Sequence, residues 1–259
     1  MSKRLNVLLI TVDDMNCDSV GCFGNPMPGI TPNLDRLAAE GMRLEQGHIT
    51  VAVCQPSRSV LLTGRYPPHN GARGFEDIDC GVSTLTEKTR AAGYYNGIIG
   101  KEDHVAPKEK FCWDTYVRTL CEEMGQGRDP EVYYEESKKL FQAADREGKP
   151  FFAMINSHDP HRPFAGAEDE LKYFGRHYHA DVTYEPEEVY VPGCLPDLPD
   201  VRRELAWYYA SVHRADQTVG RILDALRECG HEEDTMVLFL SDNGMALPYA
   251  KTNCYLHST

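Results

Sequence analysis

No apolar stretch in this chain approaches the roughly 20 residues that a bilayer-spanning helix needs. There is no internal repeat, no low-complexity tract and no Cys-x-x-Cys pair of the zinc-binding kind. Basic residues are outnumbered, 27 Lys and Arg against 40 Asp and Glu, and the net charge of −13 argues against a nucleic-acid partner. The nine cysteines are odd in number and irregularly spaced, so they make no disulfide framework and read as small buried hydrophobes. Cys17 and Cys22, beside Asp13-Asp14, are a pair that proximity would permit. Lys3-Arg4 and the apolar run after it have the look of a leader, but the run is short and lacks a small-residue cleavage site. It reads as the first core strand. The chain is expected to be cytoplasmic as given, or periplasmic, secreted or lysosomal if a leader has been removed.

What is present points to a globular α/β protein. Hydrophobic residues make up 41% and charged residues 26% of 259 positions, enough to bury a sizeable core. Residues 5–12 and 236–240 are apolar runs typical of strands buried on both faces. Residues 94–100 and 151–156 read as further short strands. Helical patterns cover 31–40, 83–92, 130–146 and 199–229. This alternation predicts a largely parallel sheet with helices on both faces. Residues 166–199, rich in Tyr, His, Glu and Pro, are expected to form an irregular excursion over the rim of the site.

Chemistry-bearing residues gather where those strands end. Asp13-Asp14 follows the first strand and Asp242-Asn243 the last. Adjacent carboxylates repel unless a cation or proton lies between them, and an all-oxygen donor set suits a hard ion, Ca²⁺ or else Mg²⁺, better than zinc. Lys101 and His104 follow the second strand, and His158 and His161 the third. In open α/β sheets ligands bind outside such carboxyl ends, so separate segments converge on one crevice. A histidine there is a ready general acid. In Cys54-Gln55-Pro56-Ser57-Arg58, Pro56 suits the first position of a helix. Cys54 then lies at the helix mouth, where free N–H groups favour negative charge, and Arg58 adds a fork-shaped donor for an oxyanion.

The segment from Cys54 to Gly64 resembles the sulfatase signature C-x-P-S-R-x-x-x-L-T-G, with every fixed position present. The resemblance implies an alkaline-phosphatase-like fold. It also implies oxidation of Cys54 to formylglycine by a formylglycine-generating enzyme, and a divalent metal held by Asp13, Asp14, residue 54, Asp242 and Asn243. A hydrated aldehyde has two hydroxyls, one to attack sulfur and the other to expel sulfate. Catalytic roles are implied for Cys54, Arg58, Lys101, His104 and His161, and substrate contacts for Lys101, His161 and Lys251, with His158 as the alternative to His161.

Within that family the likeness is to the sulfamidase group, carried by 97–101, His158-Asp159-Pro160-His161-Arg162, 214–217, 241–244 and Lys251-Thr252-Asn253. It implies hydrolysis of the N-sulfate of glucosamine units in a sulfated mono- or oligosaccharide. The alternatives are an O-sulfatase, a phosphatase or phosphonate monoester hydrolase of the same superfamily, and an inactive sulfosugar-binding protein. Two departures stand out. Gly100-Lys101-Glu102-Asp103-His104 is one residue longer than the usual Gly-Lys-x-His, a length that a local bulge would absorb. Lys251 stands where sulfamidases carry Arg. The chain is expected to be an N-terminal catalytic domain, residues 1–259, without the family's C-terminal subdomain. Its acidity favours a short or terminal saccharide over a long polyanion.

Overall fold

The computed structural model describes residues 4–253. Its first half contains β1 (Asn6–Val12), α1 (Pro32–Glu40), α2 (Cys54–Thr63), the single turn α3 (Pro67–Asn70), α4 (Leu85–Ala91), β2 (Tyr95–Ile99) and β3 (Thr115–Val117). The second half contains α5 (Pro130–Arg146), β4 (Phe151–Asn156), α6 (Glu168–Phe174), α7 (Pro199–Glu228) and β5 (Thr235–Ser241). All strand pairings are parallel, in the order β3-β2-β4-β1-β5. Every strand therefore ends at the same edge of the sheet.

The period-two alternation of β1 and β4 divides the core. Leu8, Ile10 and Val12 with Phe151, Ala153 and Ile155 face α1, α5 and α7. Leu9, Phe152 and Met154 face Leu62 of α2 together with Ile78, Val105 and Phe111. Both strands are thus covered on each side, which is why they read as near-continuous apolar runs.

Several expectations need correction. β5 is not buried on both faces: it is the sheet's edge strand, and Met236 and Leu238 are 46% and 44% exposed. Pro56 is the third residue of α2, not the first. The first turn of a helix has unpaired N–H groups throughout, so proline is tolerated there as well as at the opening position. Residues 166–199 are not wholly irregular, since they contain α6 and send Val189 and Leu195 into the core. Among the described cysteines only Cys54 is buried, and Cys17 and Cys22 are free thiols. The three-residue β3 had no counterpart in the sequence reading.

Candidate active site

At the common strand edge one guanidinium ties four segments together. Arg58 projects from the first turns of α2 and is fully buried. It donates to Thr11 Oγ1 on β1 at 2.7 Å and to Asn156 Oδ1 at the end of β4 at 2.8 Å. It pairs with Asp242 Oδ2 at 2.8 Å and Asp13 Oδ2 at 3.4 Å. Asn156 in turn donates to the carbonyls of Ile99 and Gly100, at 3.1 and 2.8 Å. The Asn156 amide therefore fastens the end of β2 to the same hub. Neither Thr11 nor Asn156 emerged from sequence reasoning.

Around this hub lie the acidic side chains. Asp13, Asp14 and Asp242 are all buried. The Asp14 amide donates to Asp242 Oδ1 at 3.3 Å, and Asn243 Nδ2 donates to Asp14 Oδ1 at 2.6 Å. Three cationic groups balance the three carboxylates: Arg58, Lys101, whose Nζ is 2.5 Å from Asp13 Oδ2, and Lys251, whose Nζ is 2.6 Å from Asp14 Oδ1. Burial opposes ionisation of Asp13, but Lys101, His161, Arg58 and Lys251 together hold its carboxyl well below the usual range. Burial, then the charge of Asp13, pushes Asp14 well up and Asp242 up to about 6. Carboxyls that ionise with difficulty side by side are a place for added positive charge. Asp14 Oδ2 and Asn243 Oδ1 are buried without a hydrogen-bond partner. These oxygen donors fit a hard divalent cation.

Cys54, at the first position of α2, donates its thiol to Asp13 Oδ1 at 3.2 Å and receives Lys251 Nζ at 3.2 Å. Burial and the neighbouring carboxylates, Asp13 first, push the thiol far above its ordinary range. An unmodified Cys54 is therefore a protonated thiol with little nucleophilic character at neutral pH.

The histidines divide. His161 presents Nε2 to Asp14 Oδ2 at 3.8 Å, and burial lowers its pKa to about 4 despite Asp13. His104 is pushed down to about 3 by burial and by Lys101 and Arg58, and its ring stands edge-on to Phe75. Before His104 the chain has Lys101 in the left-handed region (φ 51°), followed by a 3₁₀ turn at Glu102–His104. Burial, then the neighbouring Asp103 carboxylate, raises Glu102 to about 8, which limits the negative charge it brings. His158 is buried against Gly127, where an added Cβ would come within 2.1 Å of its ring. It sits in the wall of the site, whereas His161, with 37% of its side chain exposed, lies at the opening. The loop bearing both is anchored by Asp159, which takes a buried two-pronged pair from Arg214 at 2.6 and 3.0 Å.

Lys251 also lines an open cleft of 420 Å³ with Arg162, Leu247, Pro248 and Asn253. Of the eleven candidate residues only Lys251 lines this cleft; Asp13, Asp14, Cys54, Arg58, Lys101, His161, Asp242 and Asn243 are joined to it and to one another by the contacts above. The position of Lys101 depends on Gly100, which has φ +72° and whose missing Cβ would meet the Asn156 carbonyl oxygen at 2.4 Å. Gly100→Ala is expected to cost about 2–4 kcal/mol from left-handed strain and overpacking, read as a lower denaturant midpoint at unchanged slope.

A family model described as Sulfatase matches residues 5–259. The chain belongs to the sulfatase family. Human N-sulphoglucosamine sulphohydrolase is 34% identical to this sulfatase chain, an alignment covering 100% of the chain and 54% of the relative. Human N-acetylgalactosamine-6-sulfatase is 30% identical, covering 93% and 50% respectively. The chain spans about half the length of the curated relatives it matches. A protein solved in complex with its substrate D-glucosamine-2-N,6-O-disulfate superposes with TM-score 0.70 at 19% identity, over 93% of this chain and 66% of that one. The phosphonate monoester hydrolase of Agrobacterium radiobacter gives 0.68 at 18% identity, over 98% and 66%. The mostly parallel sheet with flanking helices is the alkaline-phosphatase-like fold that the resemblance implied. Among the described residues no helix is long and apolar enough to cross a membrane.

Proposed function

We propose that this chain is the catalytic domain of a sulfatase that removes sulfate from a short sulfated saccharide, the N-sulfate of a terminal glucosamine being its substrate. The observation that carries the reading is the seat of Cys54. It opens a helix, touches Asp13 and Lys251, and lies one helical turn from a buried arginine that holds two of the three carboxylates. Asp13, Asp14, Asp242 and Asn243 would hold a divalent cation, with Ca²⁺ the best match. That ion would supply positive charge to the reacting oxygens.

The chain's own residues account for the rest. Converted to formylglycine during maturation by a formylglycine-generating enzyme, residue 54 offers a hydroxyl to sulfur and a second hydroxyl to release the sulfate. Lys101 and Lys251, whose ammonium groups now pair with Asp13 and Asp14, are placed to bind the sulfate oxygens. Arg58 fixes the carboxylates on which the arrangement depends. His161, neutral above its lowered pKa and at the opening, faces the leaving group; His104, against Phe75, completes the proton-handling pair, and His158 lines the sulfate side. The leaving amine of an N-sulfate takes a proton as the S–N bond breaks, and His161 or His104 supplies it only from its protonated form, a minor species at neutral pH because burial lowers both. The cleft beside Lys251 is large enough for a single sugar, consistent with a terminal unit.

Sulfate release from N-sulfoglucosamine, set against 6-O-sulfated and phosphorylated glucosamine, tests the reading on protein whose residue 54 has been checked by peptide mass. N-sulfate is expected to be turned over at least tenfold faster than either alternative. Selective release from the 6-O-sulfate would overturn the substrate while keeping the sulfatase chemistry. Selective release of phosphate would overturn both.

A further inference from the structure

The thiol form of the site carries a second set of ligands that the oxygen-only description passes over. One ligand atom from each of Asp13, Asp14, Cys54 and His161 lies within 4.8 Å of all the others. They arrive from the end of β1, the start of α2 and the loop after β4, so the grouping is a product of the fold. Two separations are already close: 3.2 Å between Cys54 Sγ and Asp13 Oδ1, and 3.8 Å between His161 Nε2 and Asp14 Oδ2. Tetrahedral zinc, with bonds of about 2.0–2.3 Å, spaces its ligand atoms about 3.3–3.8 Å apart.

The supporting contacts also have the character of a metal centre. His161 Nδ1 lies 2.5 Å from the Arg162 carbonyl oxygen. A carbonyl only accepts, so Nδ1 carries the hydrogen and the Nε2 lone pair is left facing the carboxylates. A ring N–H held by a backbone carbonyl is the usual support of a metal-bound histidine. Asp14 Oδ2 is buried without a hydrogen-bond partner and faces that Nε2. The second oxygen of Asp13 is fixed by Lys101 and Arg58.

We propose that, before conversion of residue 54, this site is a zinc-class centre, with the Cys54 thiolate, His161 Nε2 and the carboxylates of Asp13 and Asp14 as its four ligands. Zinc takes sulfur, nitrogen and oxygen together, whereas calcium takes oxygen alone. The chemical state of residue 54 thus sets which class of metal the pocket accepts. Binding replaces the S–H bond by a Zn–S bond and passes one proton to the buffer. Lys251 Nζ, 2.6 Å from Asp14 Oδ1 and 3.2 Å from the sulfur, would have to leave both atoms for the ion to bind, and the cleft it lines offers the room. None of this depends on the sulfatase reaction: the centre needs the thiol and no substrate.

The experiment is metal titration of the full chain expressed without the converting enzyme, its Cys54 thiol confirmed by peptide mass, with Co²⁺ as the coloured substitute for Zn²⁺. One equivalent of Co²⁺ is expected to give a near-ultraviolet thiolate-to-metal charge-transfer band and tetrahedral visible absorption. Zn²⁺ should abolish both, and excess Ca²⁺ should not. Cys54→Ser should remove the charge-transfer band. Cys54→Ser and His161→Gln should each weaken Zn²⁺ binding at least about tenfold, the lower bound for losing even an outer-sphere partner. Far-ultraviolet circular dichroism checks that each variant is folded, and the converted wild-type chain gives a third arm that should show no band. A band surviving in Cys54→Ser would assign the sulfur to another of the free cysteines and overturn the proposal. So would displacement of Co²⁺ by Ca²⁺, or unchanged Zn²⁺ affinity in His161→Gln. Because no substrate is involved, failure here leaves the sulfatase reading standing, and the reverse holds too.

Discussion

Cys54→Ala is expected to abolish the proposed sulfate release, lowering turnover by about 10⁴-fold or more, the scale on which removal of a covalent nucleophile acts in other hydrolases. The substitution deletes the only atom of residue 54 that reaches the carboxylates, Sγ on Asp13 Oδ1. It leaves Lys101 and Arg58 still paired with Asp13, so the lost hydrogen bond costs the fold only about 1 kcal/mol. Far-ultraviolet circular dichroism and the thermal midpoint should therefore stay close to wild type while turnover disappears. Cys54→Ser separates attack from release. A serine hydroxyl can take the sulfuryl group but has no second hydroxyl to expel it, so the expected product is a sulfated protein seen by intact mass after one turnover. Steady turnover by either variant would show that residue 54 is not the nucleophile.

Arg58→Leu should cost about 3–5 kcal/mol of stability, the penalty for leaving a buried charge without its partner. With Arg58 gone, Asp242 loses its 2.8 Å ion pair, Thr11 Oγ1 loses its donor and Asn156 Oδ1 keeps only the Thr11 hydroxyl, all buried from water. At about 2–4 °C per kcal/mol for a chain of this size, the melting temperature should fall by roughly 10 °C. On the proposed reading Ca²⁺ would supply charge to the same carboxylates, and it is expected to narrow the gap between variant and wild type. Calorimetry with and without Ca²⁺ measures both effects. An unchanged melting temperature would mean that Arg58 does not hold the strand ends together. A calcium effect equal in both proteins would place the ion elsewhere.

The catalytic end of the sheet was legible because its residues follow strands covered on both sides. β1 and β4 are apolar but for Asn6, Thr11 and Asn156 until the chain reaches the strand edge, where Asp13-Asp14 and the histidine loop begin. The Cys54 segment was legible from its fixed spacing. Thr11 and Asn156 escaped because a single polar residue inside an apolar run carries no pattern. Their role exists only because β4 lies between β2 and β1, which brings Asn156 alongside Thr11 and both beneath Arg58. The edge position of β5 escaped for a related reason: a run of apolar residues looks the same in the middle of a sheet and at its border. Pro56 misplaced the helix start by two residues because the whole first turn lacks intrahelical N–H partners.

That border strand has a practical consequence. Thr235 to Ser241 reads Thr-Met-Val-Leu-Phe-Leu-Ser, without a charge or a proline, and one side of it has no strand neighbour among the described residues. Natural sheets blunt such margins with lysine, proline or a bulge, because an open, uncharged strand is a template on which another copy can continue the sheet. Solutions of the 259-residue polypeptide should therefore grow turbid as concentration rises, and a lysine at Met236 or Leu238 would act as a gatekeeper.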